Sequence, residues 1–214
     1  MAKSFAVLGM GKYGSNVAKT LYANGSDVLI ADKDPDLINY LADSATYAMV
    51  LDLSDPEALA RLSFDNMEAV IVAMSGNLEA SIMCTMAAKD AGVPLVLAKV
   101  STKRMGDILK KCGADQVIEV EEDAAIRTAI SLQSTDFLDY FDLSSDLCLL
   151  NMRPKADWVG KSLLALGLRD KYNINVVAIK ENGETISRID PNMPLNKEQE
   201  LIVVMDKKSL GKLK

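Results

Sequence analysis

Short runs of Val, Ile, Leu and Ala recur along the first 134 residues, and polar or amphipathic segments separate them. Continuously apolar runs of this kind are typical of strands that are buried on both faces of a sheet. Between the runs, apolar residues recur at helical spacing over 15–21, 78–90, 102–111 and 122–133. The alternation predicts a Rossmann-type α/β domain, with a doubly wound parallel sheet, over residues 1–134. Its six predicted strands are FAVL (5–8), DVLIAD (27–32), ATYAMV (45–50), AVIVAM (69–74), PLVLAKV (94–100) and QVIEV (116–120).

The pattern changes after residue 134, where the predicted sheet is complete. A short cluster of apolar residues there has helical spacing and predicts a crossover helix, or linker, over 135–146. Such a helix either packs on a second subunit or covers its own sheet. The residues that define it are Phe137, Leu138, Tyr140 and Phe141.

Residues 147–214 are predicted to form a small, β-rich α+β domain. The segments LCLLNMRP (147–154) and QELIVVMD (199–206) predict strands, and INVVAIKENGETIS (174–187) predicts a hairpin. The Asn182-Gly183 pair suits a two-residue hairpin turn. A region this short buries little apolar surface by itself, so we expect it to pair with a second copy.

A glycine-rich turn follows the first predicted strand. Gly9, Gly11 and Gly14 have G-x-G-x-x-G spacing between a strand and a helix, the context in which such a turn binds a nucleotide. Gly9 permits the tight turn, Gly11 lets the backbone approach phosphates, and Gly14 allows close helix–strand packing. Asp32 ends the second strand 18 residues after Gly14. Its carboxylate is expected to accept hydrogen bonds from ribose hydroxyls and to disfavour the 2′-phosphate of NADP.

Further polar side chains follow other strands at the carboxyl edge of the predicted sheet, where α/β proteins bind ligands. Asp52 meets an adenine amino group or simply caps a turn. Lys12, inside the glycine loop, and Lys99, after the fifth strand, are expected to face phosphates or carboxylates. Glu121 either completes a site for Mg²⁺ or another cation beside the phosphates, or caps the helix that follows it.

Composition narrows the possible chemistry. The chain has no histidine, so it lacks the usual base of a catalytic triad and the commonest metal ligand. Three widely spaced cysteines predict reduced thiols in a cytoplasmic protein, and neither a signal peptide nor an apolar run of about 20 residues stands out. Residues 1–146 hold 12 Lys/Arg against 22 Asp/Glu, whereas residues 147–214 hold 12 against 8. The acidic total argues against nucleic acid as a partner. The basic second part indicates an anionic ligand or ordinary surface variation.

Several segments together resemble a known family, the cytoplasmic regulatory subunits of Ktr/Trk potassium uptake systems, which carry RCK, or KTN, domains. The resemblance covers nearly the whole chain and rests on the order of the segments more than on any one motif. The segments are FAVLGMGKYGSNVAKTL, VLIADKDPDLI, LDLSDPEAL, AVIVAM, LVLAKV, GADQVIEVEEDA and VGKSLLALGLRDKYNINVVAIKENGE.

The resemblance implies a function. In the family the N-terminal domain binds ATP, ADP or NAD(H) without turning it over. Dimers assemble into rings of eight subunits, which gate a membrane-embedded potassium transporter subunit from the cytoplasmic side. Family members often carry Arg where Lys12 stands, and Lys lacks the guanidinium fork, so preference for a triphosphate stays open. The cofactor-binding residues that this predicts are Gly9, Met10, Gly11, Lys12, Tyr13, Gly14, Asp32, Lys33, Asp52, Leu53, Ala73, Met74, Lys99 and Glu121.

The segment LRDKYNINVVAI also resembles the family's cyclic di-AMP pocket, which lies between two copies of the C-terminal domain. The resemblance implies that Arg169 faces a phosphate and Asn175 an adenine edge. Ile174, Val176 and Pro191 would then contact the apolar faces of the base. The alternative is structural, with an Arg closing a short helix beside a β-strand core.

Two other functions compete with a regulatory subunit. An NAD-dependent oxidoreductase needs a proton donor near the nicotinamide, and the chain offers no histidine and no Tyr-x-x-x-Lys pair. A transcriptional redox sensor needs a DNA-binding helix pair, and no helix-turn-helix pattern follows residue 147. We therefore expect a regulatory protein and not an enzyme.

Overall fold

The computed structural model describes residues 2–213 and divides into two compact units. The first ends at Glu121 and the second begins at Glu122. No helix within the described range is both long and apolar enough to cross a membrane.

The first unit is built on a six-stranded, entirely parallel sheet with strand order β3-β2-β1-β4-β5-β6. This order reverses direction between β1 and β4, which opens a crevice at the carboxyl ends of those strands. The strands are β1 (Ser4–Leu8), β2 (Asp27–Asp32), β3 (Tyr47–Val50), β4 (Ala69–Val72), β5 (Leu95–Lys99) and β6 (Gln116–Ile118). The helices are α1 (Lys12–Ala23), α2 (Pro35–Leu41), α3 (Pro56–Leu59), α4 (Leu78–Asp90), α5 (Lys103–Lys111) and α6 (Val120–Ser131), and α6 continues into the second unit.

Both faces of this sheet are buried. In β2, Leu29 and Ala31 face a core that α3, α4 and α5 cover. Val28 and Ile30, the alternate residues, face a second core under α1 and α2. The continuously apolar strands therefore reflect burial on two sides, and the predicted doubly wound parallel sheet is confirmed.

The second unit contains a five-stranded antiparallel sheet with order β10-β9-β11-β8-β7. One core covers one face of this sheet and centres on Trp158, Leu150 and Met152. Asn182 and Gly183 have φ angles of 53° and 84°, so the predicted hairpin turn is confirmed. The strands are β7 (Phe137–Asp142), β8 (Leu147–Met152), β9 (Ile174–Glu181), β10 (Glu184–Ile186) and β11 (Glu200–Asp206). The short helices are α7 (Leu163–Leu166) and α8 (Leu168–Tyr172).

The prediction of a helix over 135–146 is wrong, because this segment forms the edge strand β7. Its register against β8 shifts between Phe137 and Asp139, which is a β-bulge. Phe137 and Tyr140 are consequently both buried although they are three residues apart. Spacing of three imitates a helical period, so the sequence pattern pointed to the wrong element.

Candidate functional site

The glycine loop between β1 and α1 has a fixed backbone. Gly9 has a φ angle of 96°, which favours glycine, and its N–H donates to the Ala31 carbonyl at 2.8 Å. A Cβ at Gly14 would lie 2.0 Å from the Gly9 carbonyl oxygen. These two glycines therefore shape the turn, as the sequence predicted.

Gly11 differs from its two neighbours in the motif. A Cβ built there meets no described atom within 4 Å, so packing does not demand glycine at this position. The residue precedes α1, whose first-turn N–H groups lack intrahelical acceptors and form the positive end of the helix. The open side at Gly11 is where an anionic group could approach the backbone closely.

Asp32 holds the glycine loop in place. Its Oδ2 accepts from the Met10 N–H at 2.5 Å, and its Oδ1 accepts from the Asp34 N–H at 3.0 Å. Each carboxylate oxygen has more than one acceptor site, so hydroxyl groups of a ribose can still be bound. Met10 itself is buried in the core beneath α1 and α2, so its side chain is not open to a ligand in this structure.

A cavity of about 130 Å³ lies at the carboxyl ends of β2, β3 and β4. It brings together five residues that the sequence predicted and three that it missed. The missed residues are Ser54, Asn77 and Ala80, and Asn77 carried a usable signal because Asn is a preferred N-cap before a helix such as α4. The predicted lining residues are Asp32, Lys33, Asp52, Leu53 and Met74.

Asp52 caps a turn and also faces this cavity. Its Oδ1 accepts from the Ser54 N–H at 2.9 Å, which is the capping alternative. Its Oδ2 has no donor among residues 2–213. The two roles are therefore compatible, and the second oxygen is available to a ligand.

Lys99 lies at the end of β5 and is tightly held. Its Nζ donates to Glu121 Oε1 at 2.7 Å and to Ser75 Oγ at 3.2 Å, and its side chain is only 11% exposed. The hydrogen bond from Lys99 lowers the pKa of Glu121 below its usual value. Burial raises the pKa of Tyr13, and the nearby Lys99 charge opposes that rise. A cation and an anion thus share this edge with the glycine loop.

Other predicted residues have different surroundings. Ala73 is nearly buried and lies 3.1 Å from where a Cβ at Gly14 would stand, so it supports the loop. Helix α6 begins at Val120, so Glu121 lies in its first turn and does not cap it. Among the described residues no group of three His, Cys, Asp or Glu side chains could hold a metal. The cation predicted at Glu121 stays a prediction.

In the second unit, Arg169 and Asn175 meet at the surface. Arg169 Nε donates to Asn175 Oδ1 at 2.8 Å, and both side chains are exposed. Ile174 is only 2% exposed and belongs to the core, so its side chain is closed to a ligand in this structure. Val176 is half-buried against the same core, and Pro191 is exposed. Arg169 and Asn175 therefore contact each other at the surface as a site would require, but Ile174 is not accessible to a ligand.

A parallel sheet with this loop after β1, and with Asp32 and Asp52 after β2 and β3, defines an α/β protein of the dinucleotide-binding type. Comparison with family models makes the assignment specific. The TrkA-N domain matches residues 5–120 and the TrkA-C domain matches residues 150–214. The chain belongs to the family of proteins that carry these two domains.

Relatives along nearly the full length agree. The chain is 36% identical to the Ktr system potassium uptake protein C of Bacillus subtilis (strain 168), over 95% of this chain and 92% of that one. It is 32% identical to the Ktr system potassium uptake protein A of the same organism, over 96% and 92%. These relatives are potassium uptake proteins, which confirms both the family predicted from the sequence and the expectation that the chain is not an enzyme.

Solved structures share the fold. The GsuK RCK domain matches with a TM-score of 0.66 and 17% identity, over all of this chain and 47% of that one. The GsuK channel bound to NAD matches with a TM-score of 0.67 and 15% identity, over all of this chain and 39% of that one. At this identity the likeness concerns the fold alone.

Proposed function

We propose that this chain is the nucleotide-sensing regulatory subunit of a potassium uptake system. The first unit binds ATP, ADP or NAD(H) at the carboxyl edge of its sheet and does not turn the nucleotide over. The proposal is supported by two full-length relatives that are potassium uptake proteins. The observation that carries it is the cavity in which Asp32 and Asp52 meet beside an ordered glycine loop.

The chemistry of this edge suits an adenosine nucleotide. Ribose hydroxyls donate to Asp32, and phosphates lie over the open backbone at Gly11 and the positive end of α1. Lys12, the first residue of α1, and Lys99 supply positive charge. A cation at the phosphates would share Glu121 with the Lys99 ammonium.

Regulation follows from binding alone. A nucleotide shifts a conformational equilibrium only by its difference in affinity for the two conformations. ATP and ADP differ in one phosphate, so the residues near that phosphate determine how differently the two nucleotides bind to each conformation. Lys12 is the candidate because it begins α1 directly after the glycine loop and is exposed.

The proposed partner is a membrane-embedded potassium transporter subunit, contacted from the cytoplasmic side by a ring of eight subunits built from dimers. The second unit supports self-association, because the face of its sheet opposite the core carries apolar side chains. Phe141 pairs with Leu149, and Leu149 pairs with Val204, in one row across that face. Phe141 is 41% exposed, so part of its ring is available for such a contact.

The second unit is also proposed to bind cyclic di-AMP. The Arg169 guanidinium uses Nε for Asn175, and no acceptor among the described residues holds its two Nη groups. Guanidinium N–H groups pair well with phosphate oxygens. The basic composition of residues 147–214 favours an anion there.

Thermal unfolding of the full chain with added ligands tests the proposal. A ligand that binds only the folded state at 100 times its Kd adds about 2.7 kcal/mol of stability. We expect ATP, ADP and NADH to raise the Tm of the parent. Asp32→Asn should abolish most of that rise, because one amide cannot replace both carboxylate oxygens. Asp27→Asn, at the other end of β2, is the matched control and should respond like the parent.

Arg169→Gln should remove only the response to cyclic di-AMP. The nucleotide-sensing proposal fails if ATP, ADP and NADH all leave the Tm of the parent unchanged. The cyclic di-AMP proposal fails separately if the Arg169→Gln variant keeps the full response to that ligand.

A further inference from the structure

The exposed side of α5 concentrates positive charge. Gly106 and Leu109 are buried on one side of this helix. The polar residues recur at the spacing of the opposite side, where one Asp stands among four cations. All five are exposed, and they are Lys103, Arg104, Asp107, Lys110 and Lys111. We call the four cations the α5 stripe.

The charges of the α5 stripe are not neutralised within the chain. No Asp or Glu among residues 2–213 forms an ion pair with any of the four side chains. Asp107 lies four residues after Lys103 and four before Lys111, a spacing at which ion pairs form on helices. It pairs with neither of them, so the positive charge faces solvent.

Helix stability explains only half of the α5 stripe. Lys110 and Lys111 stand in the last turn, where the negative end of the helix dipole favours cations. Lys103 and Arg104 stand in the first turn, whose positive end favours acids, and no acid is present there. These two cations oppose the helix dipole, so their placement favours a partner outside the helix.

The residues around the α5 stripe are acidic overall. Within residues 1–121, α5 holds four Lys or Arg and one acid. The other residues of that range hold seven Lys or Arg and 15 Asp or Glu. Charges distributed in this way attract an anionic surface at α5 and are repelled by it elsewhere. The first unit therefore favours one orientation at such a surface.

The chemistry of a membrane surface indicates the partner. The proposed function brings the chain to the cytoplasmic side of a transporter subunit. Anionic lipids of that leaflet attract clustered Lys and Arg side chains. Cytoplasmic loops of membrane proteins themselves carry an excess of Lys and Arg, so they would repel the α5 stripe. Lipid headgroups beside the transporter are therefore favoured over its loops.

We propose that the α5 stripe contacts anionic lipid headgroups and turns this side of the first unit toward the membrane surface. The contact is electrostatic. The apolar side of α5 is occupied by the core, where Leu109 is 0% exposed, so the helix does not insert among acyl chains. The inference rests on the proposed function, because that function brings the chain to a membrane.

Cosedimentation of the full chain with phosphatidylcholine vesicles, with and without phosphatidylglycerol, tests the proposal. We expect binding only to the vesicles that contain phosphatidylglycerol. Raising the salt from about 0.1 M to about 1 M shortens the Debye length from about 10 Å to about 3 Å and should abolish this binding. Glycerol phosphate at the same phosphate concentration should not compete, because the α5 stripe contacts several headgroups held at one surface.

Charge variants locate the contact on the helix. A Lys or Arg near an anionic surface contributes about fivefold in affinity. Asp107→Asn removes the one opposing charge and should strengthen binding by about the same factor. The variant without the α5 stripe should lose measurable binding, and it combines Lys103→Gln, Arg104→Gln, Lys110→Gln and Lys111→Gln. Gln is a good helix former, so the Tm of this variant should stay close to that of the parent.

A matched control makes the same change of charge in the second unit, where three Lys and one Arg are also exposed. It combines Lys161→Gln, Arg188→Gln, Lys208→Gln and Lys212→Gln. The control should bind the vesicles like the parent, because its cations are not gathered on one helix face.

Three results would overturn the inference: no preference of the parent for phosphatidylglycerol, unchanged binding in the α5 variant, or equal losses in the α5 variant and the control. Each of them leaves nucleotide sensing intact, since the response of the Tm to ATP tests that proposal separately. The α5 variant should keep the full response of the Tm to ATP.

Discussion

At the scale of single residues, the three glycines of the loop are equivalent in the sequence motif but not in the structure. Gly9 and Gly14 are required by the backbone, since one has a positive φ angle and the other touches a carbonyl oxygen. Gly11 has a φ angle of −61°, which any residue could adopt, and a Cβ built there would have open space around it. Its glycine therefore serves ligand approach, and the other two serve the fold.

Substitution by alanine separates these roles. Gly14→Ala should lower the free energy of unfolding by about 3 kcal/mol, because the new methyl group cannot fit beside the Gly9 carbonyl. Gly11→Ala should leave the free energy of unfolding within about 0.5 kcal/mol of the parent value but lower the affinity for ATP at least tenfold. Urea unfolding and ATP titration measure the two effects. A Gly11→Ala variant that binds ATP like the parent would argue against phosphates at this backbone.

At the scale of elements, one carboxylate links three secondary structures of the first unit. Asp115 Oδ2, just before β6, accepts from the Val96 N–H of β5 at 2.7 Å. It also accepts from the Lys89 ammonium of α4 at 3.1 Å. These hydrogen bonds, that from Val96 first, lower the pKa of Asp115 below its ordinary value of 3.8.

The lowered pKa gives a pH dependence with a definite sign. The folded state favours the ionised carboxylate, so its stabilisation is complete above pH 3.8 and is lost as the pH falls through the lowered pKa. Asp115→Asn should therefore cost about 1 kcal/mol at pH 7. The difference from the parent should shrink at acid pH.

Urea unfolding at pH 7 and at successively lower pH measures this difference. Asp107→Asn, on the exposed side of α5, is the control and should change little at any pH. A gap between parent and Asp115→Asn that grows on acidification would contradict the assigned role.

The element scale also explains what the sequence could predict. The strands of the parallel sheet are continuously apolar, so their positions and their order along the chain followed from the pattern, as did the covering helices α1, α4 and α5. Strand β7 did not, because its bulge gives buried residues a spacing of three. Sheet pairing across the chain cannot be read from local periodicity, and that pairing creates the bulge.

The same limit applies to the site. Asp32 and the glycines belong to one contiguous motif, so their meeting could be predicted from spacing. Ser54 and Asn77 are 23 residues apart, and only the fold brings them to 2.9 Å. Ile174 was predicted to contact a ligand together with its neighbour Asn175. Successive residues of a strand point to opposite faces of the sheet, so Asn175 is exposed whereas Ile174 faces the core.

At the scale of the whole molecule, residues 1–146 are acidic overall and residues 147–214 are basic overall. The acidic part contains the proposed nucleotide site, so specific groups must overcome an unfavourable net field there. The glycine loop, the positive end of α1 and Lys12 provide local positive potential, whereas the Lys99 charge is largely balanced by Glu121. Residues 147–214 contain the exposed Arg169, whose guanidinium is the local group proposed to bind an anion.

The central claim is that the first unit binds an adenine nucleotide at the carboxyl edge of its sheet. Hydrogen-exchange mass spectrometry of the full chain, with and without saturating ATP, tests it most directly. We predict slower amide exchange at three segments of the first unit, residues 9–14, 52–54 and 74–80, because a bound nucleotide covers them together. Unchanged exchange in all three segments at saturating ATP, or slower exchange confined to residues outside them, would contradict the claim.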